Sequence, residues 1–438
     1  MGPCRGKRCI PRLKLALRAK GIEIVGDATP RAPLSNQLNL GELYPPKRGD
    51  EHRVANRTDF KKIEIGALIA GGGIAGSALF RYMSDAGLNP VLVNADRGSS
   101  WRNIGGGRTA FSLPELAEIA EHNHAIFKEL QKISNIDYKT TRYINLAHDE
   151  STFNALDASR AWSDAFMVDP KNFHKEISPY FSTKSKRYLG ALITNDCWQA
   201  TPGKVVDLIR NMGVSAGGRI VEDCKVLEVM KEGSTYSILV LTHDKKYVEF
   251  RTEIFVNALG AGAGKICEGL GIHAGLYPVR HQAFITRRLP MLGKNGDSLD
   301  MLIDRQEYKG FSAVYGQQLL HTGQIIGCAS PRVDALRTDK NLILNTKEFM
   351  EIVSEFFVDW VPELAGVSIQ ATWSGYYTEP RYIVDPELGL FVGMRGHGFM
   401  LSQYLAKIYV DKLMGRPVPE YFDQLKLNGP GLSEKAFK

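Results

Sequence analysis

Apolar and polar residues follow an alternation of strand-like and helix-like spacings that begins near Lys62. Residues 63–70 form a compact apolar run typical of a buried strand. Residues 74–86 have the spacing of a helix that ends at Gly87, and residues 90–93 are a second apolar run. This strand–helix–strand order is a βαβ unit, so we expect a parallel sheet.

The same patterns recur through the rest of the chain without an internal repeat. They predict helices at residues 113–134, 203–212, 347–358 and 399–414, and strands at residues 219–229, 235–241, 247–256, 283–286, 324–327 and 390–393. We expect an α/β fold in which a Rossmann-like dinucleotide-binding domain is interleaved with an α+β substrate domain built on a mostly antiparallel sheet. The dinucleotide-binding domain takes residues 62–150, 201–275 and 373–425, the substrate domain residues 151–200 and 276–372, with a linker at 26–61 and a tail at 426–438.

Length and charge narrow the range of functions. At 438 residues the chain exceeds the size of one hydrophobic core, which agrees with two domains. The net charge of +7 lies in residues 1–62, which carry 14 Lys and Arg against 6 Asp and Glu, so the remainder is close to neutral and we expect no nucleic-acid partner. No apolar run reaches the roughly 18 residues of a membrane-spanning helix, and no apolar stretch follows the basic first residues, so we expect a cytoplasmic protein.

A glycine-rich turn joins the first predicted strand to the first predicted helix. Gly71, Gly73 and Gly76 match the pattern G-x-G-x-x-G. Gly71 permits a tight turn, Gly73 lets the backbone approach a pyrophosphate, and Gly76 lets the helix pack on the strand. The pyrophosphate would meet the free N–H groups at the helix start, beside Ile74 and Ala75, so the turn predicts a dinucleotide site.

The end of the second strand departs from the usual dinucleotide pattern. A carboxylate usually stands there and accepts hydrogen bonds from the adenosine ribose, whereas this chain has Asn94. An amide still accepts one such bond, without the assistance of a charge. Asp96 is an alternative ligand, although a surface turn residue is an equally good interpretation of it.

Two further glycine-rich segments favour a flavin over a nicotinamide dinucleotide. Residues 99–108, directly after the second strand, carry hydrogen-bond donors suited to the far side of a pyrophosphate and to a ribityl chain. Gly396 and Gly398 precede the helix at 399–414 and let the backbone approach a flat ring. The dipole at that helix start would stabilise the negative charge that a flavin gains when it accepts hydride.

Together these segments resemble the FAD-dependent D-amino acid oxidase superfamily, in the branch with glycine oxidase, sarcosine oxidase and the dye-linked proline dehydrogenases. The similarity runs from about residue 63 to residue 422 and includes residues 203–229, 256–262, 278–282 and 389–401. It implies FAD as the cofactor, held without a covalent bond because Gly375 stands where sarcosine oxidases carry a flavin-linked cysteine. The residues expected to bind FAD are Gly71, Gly73, Ile74, Ala75, Gly76, Asn94, Ser100, Asn103, Gly105, Gly106, Val226, Ala258, Gly260, Gly396, His397, Gly398, Phe399 and Met400.

A cation that anchors a substrate carboxylate is the main catalytic requirement. Oxidation of an amine by a flavin needs a neutral nitrogen and a C–H bond directed at the ring, with the carboxylate of an amino acid held by a cation. Arg395 lies one residue from the anchoring arginine of glycine-oxidase-like relatives, and Met400 stands where sarcosine-oxidase-like relatives have a lysine. Arg395, Arg280 and Arg381 are therefore all candidates, each with a structural salt bridge as the alternative.

Other polar side chains near these segments have two interpretations each. His281 replaces the glycine usual between Arg280 and Gln282, and it is either a base or a hydrogen-bonded structural histidine. Tyr377, with Tyr376 and Tyr315, either closes the substrate pocket or packs in the core. We include His281 and Tyr377 among the predicted catalytic residues.

Two cysteines near the start of the chain suggest a second redox group. Cys4 and Cys9, with residues 11–21, resemble the second half of a bacterioferritin-associated-ferredoxin-like [2Fe-2S] module, which occurs in multi-subunit opine, hydroxyproline and proline dehydrogenases. Four thiolates hold such a cluster, and two of the six cysteines precede Cys197. Residues 1–25 are thus expected to be half of a metal site, completed by a partner subunit or by upstream residues, or else a remnant. A partner carrying Fe–S or a second flavin stays an open expectation.

Three functions are compatible with these features. The first is oxidation of an amino acid or secondary amine to an imine by hydride transfer to FAD, in an oxidase or a dehydrogenase. The second keeps the flavin and takes a hydroxy compound such as glycerol 3-phosphate. The third is a flavin-bearing component or maturation factor of a larger assembly, with little turnover of its own.

Overall fold

The computed structural model describes residues 60–94, 98–162, 164–182, 187–331 and 346–432. Cys4, Cys9, Asp96 and residues 26–59 of the predicted linker lie outside these ranges, so their interpretation stays a prediction. Within the described ranges no group of three or more His, Cys, Asp and Glu side chains could hold a metal ion. No helix in the same ranges is both long and apolar enough to span a bilayer.

The described chain forms nineteen strands and eight α-helices. The strands are β1 (Lys61–Glu64), β2 (Ala67–Ala70), β3 (Pro90–Val93), β4 (Gly106–Gly107), β5 (Lys139–Ala147), β6 (Ala165–Val168), β7 (Gly190–Gln199), β8 (Arg219–Val221), β9 (Lys225–Glu232), β10 (Thr235–Leu241), β11 (Tyr247–Thr252), β12 (Ile254–Asn257), β13 (Tyr277–Arg288), β14 (Met301–Asp304), β15 (Phe311–Gln318), β16 (Gln324–Pro331), β17 (Ile369–Glu379), β18 (Ile383–Asp385) and β19 (Leu390–Val392). The helices are α1 (Ile74–Asp85), α2 (Pro114–Ile133), α3 (Glu150–Ala158), α4 (Phe173–Glu176), α5 (Pro202–Ser215), α6 (Ala263–Gly269), α7 (Lys347–Trp360) and α8 (Gly398–Leu413).

A six-stranded sheet, here called the parallel sheet, has the order β18-β19-β12-β2-β3-β8. Its neighbours run parallel except for β18, which is antiparallel to β19. One face packs against α1, α5 and α8 around Ile69 and Val256, and the other packs against a small sheet of order β1-β11-β10-β9. Because both faces are covered, the strands are apolar throughout, as expected for a parallel sheet. The predicted Rossmann-like domain is confirmed.

A nine-stranded sheet, here called the large sheet, is separate from the parallel sheet. Its order is β17-β13-β16-β15-β14-β5-β7-β4, with β6 beside β7, and only β14 and β5 pair in parallel within it. Side chains alternate between its two faces. One face packs on α7 through Phe349, Phe356 and Trp360. The opposite face carries His281, Tyr315 and Tyr377 and looks toward the loop at residues 99–108. The predicted mostly antiparallel sheet is therefore present.

Three predicted strands are each two strands in the structure. Residues 63–70, 219–229 and 247–256 divide into β1 and β2, β8 and β9, and β11 and β12. In each pair one strand joins the small sheet and the other joins the parallel sheet. A period of two is the same in either sheet, so the apolar pattern does not mark the point at which the chain changes sheets.

Candidate active site

The turn between β2 and α1 has the geometry that its glycines predict. Gly71 has a φ of +107°, and a Cβ there would lie 2.4 Å from the carbonyl oxygen of Ala258. A Cβ on Gly76 would lie 1.8 Å from the carbonyl oxygen of Gly71. Both contacts are with backbone, which cannot move aside, so a side chain at either position would push α1 away from the strands.

The start of α1 is open to an anion and lies beneath the second glycine-rich loop. Its N-cap residue, Gly73, has no side chain to cap the free N–H groups. Ile74 N–H donates to Ser100 Oγ at 2.8 Å, and Asn103 braces the loop by donating to Ser100 O and accepting from Gly105 N–H. Peptide N–H groups and a hydroxyl thus converge where a pyrophosphate is expected.

A second open helix start lies beside the first. Helix α8 begins at Gly398, and its N-cap residue, His397, makes no capping hydrogen bond with its side chain. A Cβ on Gly398 would be 3.5 Å from Ile74 Cγ2, so the starts of α1 and α8 adjoin. Gly396 has a φ of +78°, and a Cβ there would lie 2.2 Å from the ring of Tyr377. We call the glycine turn before α1 and the glycine segment before α8 the two glycine cradles. Because their glycines have no side chains, the backbone can approach a ligand closely, and together the cradles fit an elongated dinucleotide with an anionic centre and a flat end.

Five other predicted cofactor residues lie in three places. Ala258 packs against the glycine turn, and Gly260 with φ +55° follows it. The side chains of Phe399 and Met400 are buried in the core of the parallel sheet, so these residues can offer a ligand only their backbone. Val226 lies on β9 of the small sheet, half-buried.

His281, Tyr315 and Tyr377 form an aromatic face on the large sheet. The rings of His281 and Tyr377 stack with centroids 3.5 Å apart, and the hydroxyls of Tyr377 and Tyr315 are 3.1 Å apart. Burial lowers the pKa of His281 to about 3 and raises the pKa of both tyrosines above the ordinary value. The face is therefore uncharged at neutral pH.

The three arginines predicted as anchors are engaged elsewhere or face away. Arg395, 11% exposed, pairs with Glu379 with 2.7 Å between Nε and Oε2. Arg381 donates to the carbonyls of Lys426 and Leu427 at 2.6 Å each. Arg280 lies one residue from His281 on β13, hence on the opposite face of the large sheet. The tertiary structure determines the positions of all three arginines, and the local sequence pattern does not predict these positions.

Two other arginines line a cavity on the same side of the large sheet as the aromatic face. The cavity, here called the arginine pocket, has a volume of about 10 Å³, room for about one water-sized group, and it is lined by Arg108, Ala110, Tyr143, Asn145, Thr194, Ile303 and Arg305. Asn145 is 3% exposed, and its Oδ1 has no hydrogen-bond partner among the described residues. Tyr143 and Ile303 pack with Tyr315, so the pocket adjoins the aromatic face.

The charges of the arginine pocket act on the residue at the start of α8. Burial lowers the pKa of His397 well below its ordinary value, and the charges of Arg108, Arg395 and Arg305 lower that pKa further. His397 is therefore neutral, with Nδ1 2.5 Å from Tyr382 Oη. The charges of three guanidinium groups thus act on His397, the N-cap residue of α8.

Sequence reasoning missed Arg108 and Arg305 as site residues. Arg108 ends the glycine-rich loop at 99–108, and that position was the available signal. Arg305 follows β14, and it reaches the pocket because β14 pairs in parallel with β5, a long-range pairing that leaves no local pattern.

Comparisons with known proteins agree with this architecture. The model of the family described as FAD dependent oxidoreductase (DAO) matches residues 67–412. L-proline dehydrogenase from P. horikoshii has a similar structure, with a TM-score of 0.70 and 22% identity over 84% of this chain and 97% of that one. Glycine oxidase from Geobacillus kaustophilus gives a TM-score of 0.71 and 18% identity over 83% of this chain and 98% of that one. At these identities the likeness concerns the fold.

One curated relative is similar in sequence. Anaerobic glycerol-3-phosphate dehydrogenase subunit A1 of Haloferax volcanii is 26% identical over 240 residues, which is 48% of this chain and 39% of the relative. This chain therefore matches about two fifths of the relative's length. The family match covers most of the described chain, and the glycine cradles fit the cofactor that the family uses. The chain belongs to the FAD dependent oxidoreductase family.

Proposed function

We propose that this FAD-dependent oxidoreductase oxidises the C–N bond of an amino acid or a secondary amine to an imine. The observation that carries the proposal is the arginine pocket, which adjoins the aromatic face and whose two arginines act electrostatically on His397, the N-cap residue of α8. FAD, when bound, supplies the acceptor for the hydride. FAD would be held without a covalent bond by the residues of the glycine turn, by the loop with Ser100, and by the backbone from Gly396 to Gly398.

Arg108 and Arg305 are the proposed anchors for the substrate carboxylate. A guanidinium binds a carboxylate with two parallel hydrogen bonds, which fixes orientation as well as position. Arg108 is buried, its Nη1 donates to Ala110 O, and its guanidinium lies 4.0 Å from the centroid of the Phe111 ring, so its position is restrained and its other N–H groups would meet the carboxylate. The unpaired Oδ1 of Asn145 is an acceptor for the substrate N–H. These contacts would leave the reacting C–H bond directed away from the pocket, toward the start of α8.

The aromatic face favours an amine over an alcohol. An alcohol must lose its hydroxyl proton as hydride leaves, so it requires a base with a pKa near the working pH. His281, with a pKa of about 3, is too weak a base, and burial keeps Tyr315 and Tyr377 protonated. A neutral amine needs no such base, because the nitrogen lone pair forms the C=N bond as hydride leaves the carbon. After leaving the site, the iminium product loses a proton to water, and water hydrolyses the imine.

The same face would exclude water from the reaction. His281, Tyr315 and Tyr377 present three stacked or hydrogen-bonded rings with little room between them. Exclusion of water strengthens the pairing of a carboxylate with Arg108 and Arg305. It also protects the imine until the product leaves the site.

A polyol phosphate is a second candidate substrate. The relative from Haloferax volcanii is named as a glycerol-3-phosphate dehydrogenase subunit. A pair of arginines binds a phosphate as readily as a carboxylate, so the arginine pocket is compatible with it. The missing base on the aromatic face argues against it.

Anaerobic mixing of the purified yellow protein with a panel of compounds tests the proposal. The panel contains amino acids, N-methyl amino acids, cyclic secondary amines, opines, hydroxy acids and glycerol 3-phosphate. Bleaching of the flavin by amines alone supports the proposal. Bleaching by hydroxy compounds alone favours the second candidate, and no bleaching by any member contradicts both. Repeating the productive reaction with oxygen and with artificial dyes then separates an oxidase from a dehydrogenase.

A further inference from the structure

The end of β3 holds an amide at the position where a ribose-binding carboxylate is expected. Asn94 follows β3 directly and is buried. Its N–H donates to Val221 O at 3.0 Å, and its carbonyl accepts from Cys224 N–H at 2.9 Å. These two bonds tie the end of β3 to the end of β8, the next strand of the parallel sheet.

Glu222, which follows β8, brings a carboxylate to the Asn94 side chain. Asn94 Nδ2 donates to Glu222 Oε2 at 2.6 Å, and Arg210 Nη1 donates to Glu222 Oε1 at 2.8 Å. The Glu222 side chain is 50% exposed whereas that of Arg210 is 9% exposed. A carboxylate accepts about four hydrogen bonds, so these two leave further lone pairs directed at solvent.

Arg210 fixes this carboxylate against the glycine turn. From α5, its guanidinium also donates to Gly72 O and to Ser77 Oγ. A Cβ on Gly72 would lie 2.1 Å from Arg210 Nη2 and 2.7 Å from Asn94 Oδ1. The cluster of Asn94, Arg210 and Glu222 therefore contacts the glycine turn that would bind the pyrophosphate, on the side nearest to the end of β3.

We propose that Glu222, oriented by Asn94 and Arg210, accepts the hydrogen bonds of the ribose hydroxyls in the adenosine half of FAD. A carboxylate usually stands at the end of β3. In this chain Glu222 would provide it from the end of β8, and Asn94 acts as a hydrogen-bond donor that holds Glu222 in place. Ribose hydroxyls donate two hydrogen bonds, and Glu222 has two acceptor positions left for them together with the negative charge that Asn94 lacks. Recognition of the adenosine half by Glu222 does not depend on which substrate the enzyme oxidises.

Titration of the flavin-free full chain with FAD and with FMN, followed by flavin fluorescence, tests this. Glu222→Gln is expected to weaken FAD about tenfold, the effect of losing a charge-assisted hydrogen bond, and to leave FMN unchanged because FMN has no adenosine. Should FMN bind too weakly to titrate, ADP replaces it as a competitor of FAD and is expected to weaken about tenfold. Glu232→Gln, at the exposed end of β9, is the matched control and should leave all affinities unchanged.

Exchanging the amide of Asn94 and the carboxylate of Glu222 provides a second test. Asn94→Asp alone sets two carboxylates against each other and should weaken FAD. Asn94→Asp combined with Glu222→Gln restores one donor and one carboxylate, and FAD affinity should return to within about threefold of the unchanged protein. The proposal is overturned if Glu222→Gln leaves FAD affinity unchanged, if FMN weakens by the same factor as FAD, or if the double variant binds no better than the weaker single variant.

Discussion

The rings of His281 and Tyr377 lie face to face, with centroids 3.5 Å apart and planes inclined by 23°. Burial in this stack lowers the pKa of His281 to about 3, against an ordinary value of 6.5. Between these values the unfolded chain binds a proton at His281 that the folded chain does not. The contribution of neutral His281 to stability is therefore complete above pH 6.5 and is lost as the pH falls toward 3.

His281→Gln should accordingly make the stability less dependent on pH. Between pH 7 and pH 5 the free energy of unfolding of the unchanged protein should fall by about 2 kcal/mol more than that of the variant. Urea unfolding at both pH values measures the difference, with exposed His243→Gln as the control. If the free energy of unfolding falls by the same amount between pH 7 and pH 5 in the unchanged protein, in His281→Gln and in His243→Gln, then His281 is not buried in its neutral form.

Arg305→Met should weaken substrate binding without loss of flavin. Removing one guanidinium from a carboxylate pair costs about 1.5–3 kcal/mol, which is roughly a tenfold to hundredfold rise in Kd. The rise is read from the amine concentration that gives the half-maximal rate of anaerobic bleaching. Arg160→Met, which breaks an exposed ion pair with Asp157, is the control and should change nothing. Equal amine affinity in Arg305→Met and the unchanged protein would rule out the arginine pocket as the anchor.

Gly76→Ala should abolish FAD binding or prevent folding. The added Cβ would lie 1.8 Å from the carbonyl oxygen of Gly71, a backbone atom at the centre of the cradle. Gly269→Ala is the matched control, because a Cβ there meets nothing within 4 Å. Flavin content per mole of purified protein and the thermal midpoint measure both variants. A yellow Gly76→Ala protein of unchanged stability would contradict the described turn.

Acid precipitation should release all of the flavin. Gly375 lies on β17 beside the second loop, where a Cβ would be 3.5 Å from Arg102 Cβ, and it offers no thiol for a covalent bond. Absorbance of the supernatant and of the washed pellet gives the partition. Yellow colour that stays with the pellet would mean that another residue binds the flavin covalently.

Local sequence predicted the elements whose signals are local. The glycine turn, α1 and β3 were found because a strand, a glycine pattern and helical spacing follow one another within about thirty residues. Helix α2 was predicted at 113–134 and is observed at Pro114–Ile133, since its apolar stripe and its Pro114 start are both visible in the chain. The open start of α8 was likewise marked by Gly396 and Gly398.

The positions of other side chains depend on how strands from distant parts of the chain are arranged in a sheet, which the local sequence does not predict. Arg280 was a candidate anchor, and alternation along β13 directs it away from the aromatic face. Arg305 reaches the arginine pocket through the pairing of β14 with β5. Glu222 meets Asn94 because β8 lies beside β3, although 128 residues separate the two along the chain. None of these contacts leaves a periodic signal near the residue concerned.

A crystal structure of the full chain purified with its flavin would test the central claim most directly. We predict density for the pyrophosphate between the start of α1 and Ser100, and for the flavin ring between the start of α8 and the aromatic face, with its outer edge at the arginine pocket. A flavin ring bound away from the start of α8, or a protein that takes up no FAD when the cofactor is in excess, would contradict the account.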